Sequence, residues 1–242
     1  MRALLPDLAD DPDLHEFYAR DWVAGGGVRV NMISSVDGAA TAGGLSQGLQ
    51  TRGDNRVFAA LRDLADVVLV GAATAAAENY RPNTPKPERT VIRQRFGLAA
   101  ALPIALTSRS LRIDTTCPLF ADPGNRPLVY TCESADAGRR LELEEVADVV
   151  VCGAEAVDLP GVRSDLAVRG LGRILCEGGP TLLGAMLAAD AVDELCLSIS
   201  PLLVGPGAIR IVTGAAWPAQ RHELTLASLL EEDGALFARY RR

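Results

Sequence analysis

Glu177-Gly178-Gly179-Pro180 is the segment of this chain best equipped for chemistry. An apolar strand, Ile174 to Cys176, runs into a carboxylate, then two glycines, then a proline suited to the first position of a helix. Leu182, Leu183, Met186 and Leu187 follow at helical spacing. A strand, a bare-backbone turn and a helix N-terminus offer free N–H groups and a positive dipole end to an anion such as the pyrophosphate of a dinucleotide. Paired glycines also make ordinary tight turns, and a glutamate there can be solvated or arginine-paired. Its place at a strand's carboxyl end, where open α/β sheets bind ligands, favours a substrate-facing role.

Three other strand ends carry polar groups. Ser34-Ser35-Val36-Asp37-Gly38 closes the strand Val28–Ile33, with small hydroxyls against which a flat cofactor could lie. Its plainer reading is an Asp-Gly turn. Thr74 lies three residues past Gly71, which ends the strand Val67–Val70; helix N-capping is its alternative. Ser108-Arg109 follows the strand Ile104–Thr107. A hydroxyl and a guanidinium could hold a ribose 2′-phosphate, or form a polar turn.

Several chemistries are disfavoured. No G-x-G-x-x-G follows a strand and no G-x-x-x-x-G-K-[ST] is present. Gly44-Leu45-Ser46-Gln47-Gly48 matches the serine-hydrolase elbow G-x-S-x-G but lacks the buried strand before it and the helix after it. The five cysteines include no C-x-x-C pair, and the two histidines have no ligand-spaced neighbour, so no metal site is expected. Four cysteines (Cys132, Cys152, Cys176 and Cys196) fall in strand-like runs and read as buried reduced thiols. A net charge of −7 argues against nucleic acid or an anionic membrane as partner, and leaves any anionic ligand to local donors. No apolar run reaches membrane-spanning length, and residues 1–13 do not resemble a signal peptide, so a cytoplasmic protein is expected.

The elements that position these groups alternate. A helix with Val57, Phe58, Leu61, Leu64 and Ala65 on one face, capped by Asp54, follows the first strand. Arg81 to Pro103, rich in proline and arginine, reads as a surface excursion with one helical turn near Phe96. Further strands are expected at Leu128–Thr131, Val149–Cys152 and Glu194–Ser200, and a short helix at Leu166–Arg169 capped by Ser164. Glu223–Leu230 and Ala235–Tyr240 should pair as a hairpin across Asp233-Gly234. The reading is α/β: a mixed, mainly parallel sheet with helices on both faces and a C-terminal antiparallel hairpin. An N-terminal extension, residues 1–27, with a helix capped at Asp13, would precede one domain, 28–242.

Three motifs together resemble the riboflavin-biosynthesis pyrimidine reductases, in their stand-alone form. They are Asn31-x-x-Ser34-x-x-Asp37-Gly38, then Leu61-Arg62-x-x-Ala65-Asp66-x-x-Leu69-Val70-Gly71-x-x-Thr74, and Glu177–Gly205 with E-G-G-P-T-L and D-E-L-x-L-x-I-S-P in register. The resemblance implies a dihydrofolate-reductase-like fold, NADPH as hydride donor, and a 5-aminopyrimidine 5′-phosphate whose ribosylamino side chain becomes ribitylamino. It also implies a homodimer, with Leu195–Ile199 at its interface. Glu177, with Asp37 as a proton-handling candidate, would be catalytic. Asn31, Ser46, Arg62 and Glu177 would meet substrate, Arg62 as phosphate or ring partner. Cofactor contacts would come from Ser34, Gly71, Thr74, Glu78, Ser108, Arg109, Gly178, Gly179, Pro180, Thr181, Leu182 and Leu183. The chain departs from the pattern at Glu78-Asn79-Tyr80, where Asp-Asp-Pro is usual, and it has no deaminase zinc signature. The altered segment keeps two alternatives open: reduction of a pteridine, or a non-catalytic nucleotide-binding protein of the same fold.

Overall fold

The computed structural model describes residues 1–20, 22, 26–214 and 222–242. Among them eleven strands form one sheet: β1 (Arg2–Leu5), β2 (Ala9–Asp10), β3 (Gly27–Ser35), β4 (Val67–Gly71), β5 (Ile104–Thr107), β6 (Leu128–Thr131), β7 (Asp148–Val151), β8 (Arg173–Cys176), β9 (Glu194–Ser200), β10 (Thr225–Glu232) and β11 (Ala235–Arg241). The spatial order is β2-β1-β10-β11-β9-β3-β8-β4-β5-β6-β7. From β9 to β7 every neighbouring pair is parallel; β11 on β9, and everything beyond it, is antiparallel. This is the mixed sheet with a terminal hairpin that the alternation of elements predicts.

The helices are α1 (Leu14–Ala19), α2 (Arg52–Asp63), α3 (Ala72–Ala77), α4 (Pro87–Arg95), α5 (Ala137–Glu144), α6 (Leu159–Val168) and α7 (Pro180–Ala188). Successive residues of the parallel strands divide between two apolar cores, as strand periodicity requires. Val68, Val70 and Leu106 pack with α1, α2 and α5 on one face, while Val67, Leu69 and Ala105 pack with α6 and α7 on the other.

Several local expectations are corrected. Thr51, not Asp54, caps α2, accepting the Asp54 N–H at 3.1 Å. Residues 81–103 contain a nine-residue helix, α4, in place of one turn. Its sequence hides it because the buried anchor is Arg93, which donates to the carbonyls of Arg62, Asp63, Ala65, Ala99 and Ala101. Helix α6 starts at Leu159, well before Ser164, after Asp158. Helix α5, capped by the Asp136 carboxylate, was not expected. Asp13 does cap α1. The residues ahead of α1 are strands of the same sheet, β1 pairing with β10 from Arg2↔Glu231. The hairpin turns at Asp233-Gly234, both at positive φ. Cys176 and Cys196 lie on strands, whereas Cys132 and Cys152 lie one residue beyond theirs. All five thiols are free.

Candidate active site

The chain winds outward from β4 through β5 and β6 to β7, and from β8 it returns the other way to β9. Between these two directions, at the carboxyl ends of β3, β8 and β4, lies the switch point at which open α/β sheets take ligands. A cavity of about 290 Å³ opens there, lined among others by Asn31, Ser46, Asp54, Phe58, Thr74, Tyr80, Glu177 and Gly179.

Glu177 is placed by its backbone, whose N–H donates to the Leu69 carbonyl of β4 at 2.9 Å. Its side chain is 3% exposed and meets Arg62, from the last turn of α2, in a bidentate pair: Nε to Oε1 and Nη2 to Oε2, both 2.7 Å. The Tyr80 hydroxyl donates to Oε2 at 2.5 Å. Arg62 also stacks on Phe58, 4.3 Å from the ring centroid, and its Nη1 donates to Asn83 Oδ1 at 3.3 Å. Burial works against the charge on Arg62, but the adjacent carboxylate outweighs it and holds the guanidinium firmly protonated. Burial, with Glu177 second, drives the Tyr80 phenol well above its ordinary range, so it stays a donor. Glu177 is therefore the arginine-paired carboxylate of its plainer reading, and it still faces the cavity. Arg62, expected as a phosphate partner, has all three nitrogens engaged within the protein.

The glycine turn is equally constrained. Gly178 sits at φ +75°, and a Cβ there would come within 2.9 Å of Met32 Sδ. A Cβ on Gly179 would lie 2.3 Å from Thr74 Oγ1. The Gly178-Gly179 peptide is cis, and the Gly71 N–H donates to the Gly178 carbonyl at 2.7 Å. Gly179 leads into α7 with Pro180 in its first turn and no side-chain cap. The N–H groups of Thr181 and Leu182 therefore have no acceptor within the helix. Asn31 Oδ1, in the same cavity, is buried with no hydrogen-bond partner. An uncapped helix start behind a turn of two glycines, and an orphaned acceptor on the same cavity wall, fit a dinucleotide cofactor.

The remaining sequence-derived residues divide. Thr74 does not cap α3; Gly71 precedes that helix and no side chain caps it. The Leu182 and Leu183 side chains belong to the core, leaving only their backbone to the turn. Ser34 is buried at the end of β3, outside the cavity lining. Ser108 and Arg109 follow β5 on the same carboxyl edge; the Ser108 hydroxyl accepts the Leu111 N–H at 3.0 Å, and Arg109 is exposed. Glu78 Oε1 accepts the Ser46 N–H at 2.9 Å, tying the 41–49 loop to α3, and Ser46 opens a short 3-10 turn with no strand–elbow–helix around it. Asp37 is corrected. Its carboxylate accepts from the Ser35 hydroxyl and from the N–H groups of Val204 and Gly205. With the Ser35 contact foremost, these bonds lower its pKa to about 2, so it holds no proton near neutrality and anchors a loop outside the cavity lining.

Three residues in this region were not foreseen. Tyr80 lies within the segment that departs from the resembled motif. Asp54, read as a cap, is 6% exposed in the cavity wall, where burial raises its pKa against an opposing hydrogen bond from Ser198. Asn83 holds the third nitrogen of Arg62. Among the described residues no cluster of side chains could hold a metal ion, and no helix is long and apolar enough to cross a membrane.

A ligand cleft at the switch point of an open α/β sheet, with a bare-glycine helix entry beside a buried carboxylate, defines a nucleotide-binding α/β protein of the reductase type. The chain belongs to the RibD C-terminal domain family, whose model matches residues 27–234. It is similar to the 2,5-diamino-6-ribosylamino-4(3H)-pyrimidinone 5′-phosphate reductase of Archaeoglobus fulgidus, 29% identical over 74% of this chain and 81% of that protein. The protein of the same description from Methanothermobacter thermautotrophicus is 32% identical over 74% of this chain and 79% of its own length. Among solved structures, a pyrimidine reductase-like protein from Corynebacterium diphtheriae superposes with a TM-score of 0.84 at 28% identity, covering 94% of this chain and 98% of that one.

Proposed function

We propose that this protein is the NADPH-dependent reductase that converts the ribosylamino side chain of a 5-aminopyrimidine 5′-phosphate to ribitylamino in riboflavin biosynthesis. The observation that carries the reading is one cavity wall holding both the uncapped, glycine-led start of α7 and the buried Glu177. The relatives' names supply the substrate class, and the fit of the glycine turn supplies the cofactor class.

A bound nicotinamide would supply the hydride for C1′ of the ring-opened sugar, with a proton taken up at the adjoining nitrogen. The chain's own task is to hold the two carbons in contact and exclude water. The α7 entry and Thr74 hold the cofactor end. Asn31 offers its free Oδ1 to a donor of the substrate or nicotinamide. Glu177, fixed by Arg62 and Tyr80, presents a rigid negative edge for the sugar hydroxyls or the amine. Ser108 and Arg109, on the same carboxyl edge of the sheet, would contact the 2′-phosphate that distinguishes NADPH from NADH. A cytoplasmic homodimer completes the reading, its interface taken from β9, where Leu195, Leu197 and Ile199 stay half-exposed on one face.

The test is NADPH oxidation by the purified protein with the phosphoribosylaminopyrimidine and dihydrofolate side by side. Turnover of the pyrimidine alone, or strongly preferred, is expected. Preference for dihydrofolate would move the assignment to a pteridine reductase, and cofactor binding without turnover of either would make this a nucleotide-binding protein.

A further inference from the structure

Resting on that reading, we propose that Tyr80 is a positioning residue for hydride transfer: its hydroxyl fills Oε2 of Glu177, so that the carboxylate meets the substrate through Oε1 alone and takes a single donor from it. A carboxylate offers about four acceptor sites, two on each oxygen. Arg62 takes one on each, Nε on Oε1 and Nη2 on Oε2. The Tyr80 hydroxyl takes the second site on Oε2 at 2.5 Å. Among the described residues no further donor reaches this carboxylate, so one site remains, on Oε1. Glu177 and Tyr80 both line the cavity that also holds Gly179.

Local structure brings the phenol there. Asn79 follows α3 at φ +52°, the left-handed conformation that asparagine tolerates. The Tyr80 N–H returns to the Ala75 carbonyl at 2.9 Å, and the side chain turns inward to Glu177. Asn83 pins the segment beyond it, its Nδ2 donating to the Leu102 carbonyl at 3.1 Å. The Tyr80 ring lies 5.4 Å from the Arg62 guanidinium carbon, which has Phe58 as its other aromatic neighbour at 4.3 Å. Ring and hydroxyl therefore have separable tasks. The ring packs on the guanidinium, and the hydroxyl alone touches the carboxylate.

The chemistry of the substrate gives the hydroxyl its importance. A ring-opened sugar carries hydroxyls on successive carbons, each an equivalent donor to a carboxylate. Two neighbouring acceptor sites would let such a chain bind in more than one register. A single site admits one hydroxyl or the amine, and so fixes where C1′ stands against the hydride donor. Hydride transfer is steeply sensitive to that placement, since a misplacement of about 1 Å can cost on the order of a hundred-fold in rate. Burial, with Glu177 second, keeps the phenol protonated, so the hydroxyl remains a donor to Oε2 throughout.

Tyr80→Phe on the full chain tests this, because it keeps the ring and removes only the hydroxyl. Its kcat with the pyrimidine should fall about ten-fold while KM for the pyrimidine does not rise, since the substrate keeps the Oε1 site and gains one on Oε2. KM for NADPH should be unchanged, and the melting temperature should fall by no more than about 4 °C, the share of one hydrogen bond. An unchanged kcat, a raised KM for the pyrimidine at constant kcat, or a loss confined to NADPH would overturn the proposal. Carbon-13 spectra of protein labelled at the tyrosine ζ-carbon supply a second readout that needs no turnover. The chain has four tyrosines, and the Tyr80 resonance is the one that Tyr80→Phe removes. In equal parts of light and heavy water it should split into two lines, because a hydroxyl held by a buried carboxylate exchanges slowly. A single averaged line would overturn the proposal whatever the kinetics. Failure of the functional reading looks different: the unmodified protein itself would then leave the pyrimidine unreduced, which would overturn both.

Discussion

Arg62 grips Glu177 through two parallel hydrogen bonds of 2.7 Å, joining the last turn of α2 to the carboxyl end of β8 beneath the cavity. A carboxylate read from sequence as a substrate ligand is thus also half of a buried ion pair. Removing one member of such a pair strands the other charge, whereas removing both can be nearly neutral.

Glu177→Gln should therefore lower both stability and turnover. The stranded Arg62 should cost on the order of 3–5 kcal/mol, less whatever one retained amide hydrogen bond restores. The double variant Glu177→Leu with Arg62→Leu should regain much of the melting temperature but not the activity. Thermal unfolding and NADPH-coupled turnover measured on the same preparations decide it. If Glu177→Gln keeps full activity and loses only stability, Glu177 is structural and the site must be redrawn.

Gly179 and Thr74 form the second coupled pair. Because a Cβ on Gly179 would meet Thr74 Oγ1 at 2.3 Å, Gly179→Ala should disturb the turn before any cofactor arrives. Replacing Thr74 by alanine in the same chain removes the obstructing atom. The double variant should recover the melting temperature while binding NADPH more weakly than the unmodified protein in calorimetry. Normal NADPH affinity in that double variant would show that the turn serves the fold alone.

Arg109 should set cofactor preference. Loss of a charge-assisted phosphate contact costs on the order of 1.5–3 kcal/mol, so Arg109→Ala should weaken NADPH about ten-fold or more and leave NADH unchanged. Equal affinity for the two cofactors in the unmodified protein would remove Ser108 and Arg109 from the site.

Asp54 gives the pH dependence. Its folded pKa is raised by burial, so the folded chain keeps a proton that the unfolded chain releases. Stability contributed by this group is thus full below the unfolded value near 3.8 and declines as pH rises through the folded pKa. Asp54→Asn, which keeps an acceptor for the Ser198 hydroxyl, should gain stability relative to the unmodified protein on going from pH 4 to pH 7. Urea unfolding at the two pH values measures it; a difference that does not change with pH would place the charged form at no disadvantage.

What could be read from sequence depended on what carried the signal. The strand, glycine turn and proline-led helix around Glu177 were legible because strand, turn and helix chemistry all agree there. The parallel strands were legible as short apolar runs. Helix α4 was not, since its buried contact is an arginine donating to five carbonyls and no apolar period marks it. The partners of Glu177 were half legible: Arg62 was named as a site residue, but its commitment to a carboxylate 115 positions away depends on the packing of α2 against β8. Tyr80 reaches that carboxylate only because Asn79 turns left-handed, a backbone choice that composition does not announce.

The register of β3 also orders events on the ribosome. Val30 sits in the middle of the sheet, beside Cys176 on one side and Leu195 on the other. Both partners are made roughly 150 residues after it, which at about 5–20 residues per second is on the order of ten seconds or more. During that interval an apolar strand destined for the centre of the molecule has neither neighbour. A nascent chain of this protein should therefore lean on chaperones until β8 and β9 emerge, and variants that slow translation between α2 and β8 should lower its yield without altering the finished fold.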